Sequence, residues 1–204
     1  MARAPWNWLG FLVRYGLAFA LVLALWSYVR LAYGRMVVTG SNAVFELLEA
    51  DPETHVVLHS LDQYRVKRGD LLVTAESTSA KMIVDTLVPF LPLVVAIPRL
   101  TWRNRLILLL VGLGTLYLIQ VGLLLVHSRY AIGAAYLSPA LDGNRHLVPF
   151  RYSPASVRFY EEAVSQFWVG VGYYWAGPIV GLGLGAWLLS RQERGFQDIN
   201  GSLR

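Results

Sequence analysis

RLTWRNR at 99–105, followed at once by LILLLVGLGTLYLIQVGLLLV at 106–126, decides how this chain folds. Three arginines without an acid lead into an apolar run of about 20 residues, which at a rise of 1.5 Å per residue matches a hydrocarbon core of roughly 30 Å. Such a segment has lipid rather than water as its solvent. The basic turn before it marks the cytoplasmic side, where short loops retain Lys and Arg.

Upstream of the turn, 82–98 is apolar but carries Pro89, Pro92 and Pro98, so a bent or partly unwound span is expected. The first apolar run, 6–33, reads as an uncleaved helix: it is long, and Tyr28, Arg30 and Tyr33 stand where a signal peptide would need small residues for cleavage. Arg14 within it has a stem long enough to reach the near headgroups. Between these spans, 34–81 reads as an exported folded unit. Ser41 or Asn42 is expected to cap a short helix at 43–50, ended by Asp51-Pro52. Strands are expected at 55–61 and 70–75, with 64–69 as a third short strand or a turn closed by Gly69.

Downstream, the third span is expected at 106–127 and a second exported loop at 128–166, where Ser153 can cap a helix that has Pro154 at its first position. A final span at 167–189 precedes a tail at 190–204 bearing Arg191 and Arg194. The expected fold is therefore an α-helical integral membrane protein with about four transmembrane helices and a small exported α/β loop domain, a helix plus a β-hairpin. With Arg3, the 99–105 turn and Arg191 on one side, both termini are cytoplasmic in a bacterial inner membrane.

Composition agrees with this reading and narrows the function. Of 204 residues, 55% are hydrophobic and 15% charged, more apolar surface than one soluble domain can bury. The net charge of +5 is spread over short segments rather than gathered on the one basic face that nucleic-acid binding requires. There is no cysteine, hence no disulfide, thiolate nucleophile or thiolate metal site.

Gly177, Gly181 and Gly185 recur at intervals of four in the last span, and glycines at that spacing line one helical face and admit another backbone closely. The neighbour can be within the chain or on another protein. Gln120 lies deep in the third span, where a buried amide is expected to bond to another helix. Asp85 falls at the start of the second span, near the exported interface; with Arg14 it makes up the polar intramembrane candidates. His55 and His59 share a strand face, with Glu53 nearby, but two imidazoles lack a third ligand at diagnostic spacing, and His127 and His146 are distant in sequence. No metal and no cofactor is expected. With no GxSxG, HExxH or paired membrane carboxylates, no catalytic residue is assigned and the chain is expected not to be an enzyme.

The order of parts resembles the small exosortase-associated membrane proteins, especially those accompanying the H-type exosortase of Gram-negative bacteria. The resemblance covers an amino-terminal span, an exported helix-plus-hairpin unit, the proline-bearing LVPFLPLVVA at 87–96, a short basic turn, a Leu- and Gly-rich span with Gln120 in its second half, and the aromatic Gln166-Phe167-Trp168 leading to a final span with Pro178. It implies non-catalytic assistance to a membrane transpeptidase-like enzyme that processes sorting signals. Exosortases rely on a catalytic cysteine, which this chain lacks. The expected partners are membrane lipid and another integral membrane protein, with no nucleic acid. The competing expectation is a small transporter or channel component using Asp85 and Gln120.

Overall fold

A computed structural model describes residues 8–49, 54–60, 63–76, 85–138 and 153–201. The chain is mostly helical, with one small sheet. The elements run α1 (Trp8–Leu48), β1 (Thr54–Leu58), β2 (Gln63–Arg68), β3 (Leu71–Glu76), α2 (Leu87–Ala96), α3 (Trp102–Leu137), α4 (Pro154–Glu161), a π-helical stretch (Glu162–Gly172) and α5 (Tyr173–Gly201). Two of them, α1 and α3, are long and apolar enough to cross a bilayer. Two compact units divide the chain: Met1–Trp26 with Thr86–Leu116 and Tyr174–Arg204, and Ser27–Asp85 with Tyr117–Tyr173.

In the first unit, α1 leaves its apolar side chains uncovered: Leu9, Leu12, Val13, Leu17 and Leu21 are each more than half exposed. An apolar surface of that extent is rare on a protein in water. The core of this unit lies around α2, where Phe90, Leu93, Ala96 and Ile97 are buried together with Leu108 of α3 and Leu188 of α5. Gly112 sits under the Phe90 ring, where a methyl group would collide with it. Pro92 within α2 removes one backbone donor, and the Tyr15 hydroxyl donates to the Pro89 carbonyl at 3.3 Å. The α2 end is closed by Arg105, which donates to the carbonyls of Val94, Val95 (2.7 Å) and Ile97 (2.9 Å), groups a helix otherwise leaves unsatisfied. After Pro98, Arg99 takes a left-handed backbone (φ 65°), and Gln192 donates to its carbonyl at 3.2 Å.

The second unit is built on the antiparallel sheet β1-β2-β3. Of the two alternatives for 64–69 the third strand forms, as β2, so the expected hairpin is a three-stranded sheet; Arg68 pairs with Leu71 across Gly69-Asp70, and Gly69 has the positive φ (55°) that such a tight connection demands. Alternation assigns the faces. Tyr64, Val66 and Arg68 of β2 point inward and are fully buried, beside Val56 of β1. His55, Val57, Lys67 and Leu72 face outward and are exposed. The core continues into Val37 and Phe45 of α1 and Val121, Leu124 and Ile132 of α3.

Several boundaries differ from the sequence expectation. The first helix does not stop at 33, nor is 43–50 a separate helix: α1 continues to Leu48. No proline stands between Pro5 and Pro52, so hydropathy falls while the helix continues. Gly40 serves close approach rather than a break, since Tyr117 and Val121 crowd the space a side chain would need. Ser41 and Asn42 therefore cap nothing; Ser41 donates to Val37 O at 2.9 Å and Asn42 reaches β1. Of the span expected at 82–98, residues 82–84 lie outside the described residues; after a turn at Thr86 the chain forms α2, ten residues or about 15 Å, half the depth of a hydrocarbon core. The third helix runs past 127 to Leu137, taking the start of the expected 128–166 loop with it, and α5 runs past 189 to Gly201. Ser153 caps α4 as expected, accepting the Ser156 N–H at 3.1 Å with Pro154 behind it, and α4, the π stretch and α5 follow without a break.

Candidate functional site

Alternation along β2 turns Arg68 inward, and its side chain is wholly buried. A guanidinium does not give up its proton, so it needs an acid beside it. Glu49, directly after α1 and equally buried, supplies one: its Oε1 lies 3.2 Å from Arg68 Nη1 and also pairs with Arg129 of α3. The other oxygen, Oε2, accepts the Thr54 N–H at 3.1 Å and the Thr54 hydroxyl at 2.6 Å, and Arg68 Nη1 donates to Thr54 Oγ1 at 3.1 Å. One carboxylate thus receives two guanidiniums, an amide and a hydroxyl. Arg129 alone of the three charged groups reaches solvent, about a third exposed, so the cluster shows a net positive charge there. A carboxylate held this way is a structural clamp; every lone-pair direction it would use as a base is occupied.

A second buried pair lies in the same unit. The Tyr64 hydroxyl bonds His127 Nδ1, and the rings of Tyr130 and His127 form a T-shaped pair with centroids 6.1 Å apart. Burial pushes the Tyr64 hydroxyl well above its usual pKa, so it stays protonated and acts as the donor to the imidazole. Asn42 completes the attachment of the sheet: its carbonyl accepts the Val56 N–H at 2.8 Å and its amide donates to Val56 O at 3.0 Å, so one side chain replaces a neighbouring strand.

The residues singled out in the sequence fall as follows. Methyl groups built on Gly177, Gly181 and Gly185 would stand 2.6 Å from Thr86 O, 2.6 Å from Leu93 Cδ1 and 2.5 Å from Ile97 Cδ1. The glycine face is therefore filled by α2 and its flanks, within the chain. Gln120 is fully buried and accepts from the Tyr33 hydroxyl of α1. Asp85 pairs with Arg30 at 2.9 Å, and both side chains are largely covered. Arg14 is exposed on α1. His55 and His59 are exposed, but His59 lies beyond the end of β1, so the ladder does not hold the two imidazoles together. Among the described residues no three His, Asp or Glu side chains cluster as metal ligands, and Glu53 and His146 lie outside those residues.

The sequence reading did not single out Glu49, Arg68, Arg129 or Tyr64. One signal was available: in Tyr64-x-Val66-x-Arg68 the arginine shares the parity of two residues destined for the core. Compared with known proteins, the chain matches no family model, no curated protein and no solved structure.

Proposed function

We propose that this chain is a multi-pass protein of the bacterial cytoplasmic membrane, with both termini cytoplasmic, that acts as a non-catalytic accessory or scaffold subunit for another integral membrane protein. The observation that carries this reading is the saturation of Glu49. The most elaborate polar centre among the described residues spends its carboxylate on securing β1, β2 and α3 to the end of α1, leaving no free base beside a nucleophile. What that rigid unit offers instead is a surface: the outward row His55, Lys67 and Leu72, with Val57 beside it, mixes positive charge and exposed apolar groups. The partner that fits the resemblance noted in the sequence is an exosortase-type sorting enzyme, to which a cysteine-free subunit would lend positioning rather than chemistry.

A photo-crosslinking residue at Val57 or Leu72 tests the scaffold role. It should trap one defined membrane protein in mild detergent, and Leu72→Asp should reduce recovery several-fold. A chain that purifies alone and crosslinks to nothing overturns the proposal. Gly181→Leu does not probe partner binding, because its face is filled from within.

The transporter reading keeps one specific support: α2 is a ten-residue, proline-bearing helix, and interrupted helices are how transporters build sites at mid-membrane depth. Ion flux in proteoliposomes that disappears with Asp85→Asn would raise it above the scaffold reading.

A further inference from the structure

The basic turn at 99–105 distributes its arginines unequally. Arg105 is consumed by the α2 carbonyls. Asn104 donates to Gln192 at 2.8 Å, and Gln192 in turn holds the Arg99 carbonyl, which ties the start of α3 to the later part of α5. Between these two helices a cleft of about 350 Å³ opens, lined by Thr101, Arg103, Asn104, Leu188, Arg191 and Gln192. Arg103 and Arg191 supply two positive charges to it, and among the described residues no acid lines it. The Arg191 guanidinium lies 5.6 Å from the centre of the Trp187 ring, which holds it in place, and Trp102 beside the cleft is 80% exposed.

Resting on the membrane reading above, we propose that this cleft binds the phosphate headgroup of an anionic phospholipid. Arg103 and Arg191 both line one cavity, with Asn104 and Gln192 at its wall, and a guanidinium is a planar fork suited to phosphate oxygens. Ile107, half-buried in the same cleft, gives it an apolar side along which an acyl chain can leave. Exposed tryptophans beside it are the side chains that settle at headgroup depth, and basic pockets between membrane helices on the cytoplasmic side are where acidic headgroups bind.

Native mass spectrometry of the whole chain, released from a neutral detergent into defined lipid, tests this. Phosphatidylglycerol should be retained about tenfold or more over phosphatidylcholine, and Arg103→Ala with Arg191→Ala should abolish the preference. Arg194→Ala, on the same helix but outside the cleft, should leave it unchanged. Thermal unfolding of each variant establishes that it is folded, and Arg191→Gln alone replaces the double variant if that one is not. Equal retention of the two lipids overturns the proposal, and so does an equal loss with Arg194→Ala, which would reduce it to general surface charge. Competition by inorganic phosphate at the lipid's own affinity would replace the lipid with a soluble phosphate ester and overturn it too. Extraction of the chain from membranes by alkaline carbonate would sink the membrane reading itself, a different failure from equal lipid retention by an embedded chain.

Discussion

Where α5 meets α2, the contact is made by what is missing: Gly177, Gly181 and Gly185 carry no side chain, and Thr86, Leu93 and Ile97 fill the space. Where the sheet meets α1 and α3, the contact is made by what is present: Glu49, Arg68 and Arg129 around Thr54, and Tyr64 on His127. Helices among apolar surroundings gain little from burying more hydrocarbon, so close packing decides their association. A small sheet buries too little apolar area to dock by that alone, and charge complementarity specifies one seat for it. Each unit is therefore sensitive to a different insult, and substitutions can separate them.

The largest effect is expected at the carboxylate. Glu49→Leu strands Arg68, fully buried, without its acid and should cost about 3–5 kcal/mol of unfolding free energy, read by denaturant titration in detergent. Adding Arg68→Met should restore most of that loss; a double variant as unstable as the single one would mean the pair is not what seats the sheet. Next comes the glycine face. Gly181→Leu should cost about 1–3 kcal/mol by forcing Leu93 aside, whereas Gly183→Leu, with nothing within 4 Å, should stay within about 0.5 kcal/mol of wild type in the same titration. Equal penalties at both positions would remove the argument for a packed face. The smallest is Gln120→Leu. Losing the hydrogen bond to Tyr33 between apolar helices should lower stability by about 0.6 kcal/mol, a shift in thermal midpoint that Tyr33→Phe should reproduce and not add to.

What could be read from the sequence was whatever the chain settles locally. The apolar run after RLTWRNR, the short strand ending at Gly69 and the Ser153-Pro154 helix start each depend on neighbours a few residues away. What escaped depends on partners far along the chain. The end of α1 was expected at 33 because hydropathy drops there, but a helix ends where its backbone is broken or capped, and α1 meets no proline until Pro52. Ser41 and Asn42 have the chemistry of caps and spend it instead on Val37 and Val56. The spacing of Gly177, Gly181 and Gly185 announced a close neighbour without naming α2. Glu49, Arg68 and Arg129 are separated by tens of residues, and only the parity of Arg68 hinted that a charge was bound for the core.

All of these expectations presuppose apolar surroundings for α1 and α3, and the proposed topology adds that residue 67 is exported while residue 103 is cytoplasmic. Because the chain has no cysteine, any single cysteine introduced is its only thiol. In intact spheroplasts a membrane-impermeant maleimide should label Lys67→Cys at once and Arg103→Cys only after permeabilisation. Labelling of both from the same side would contradict the account.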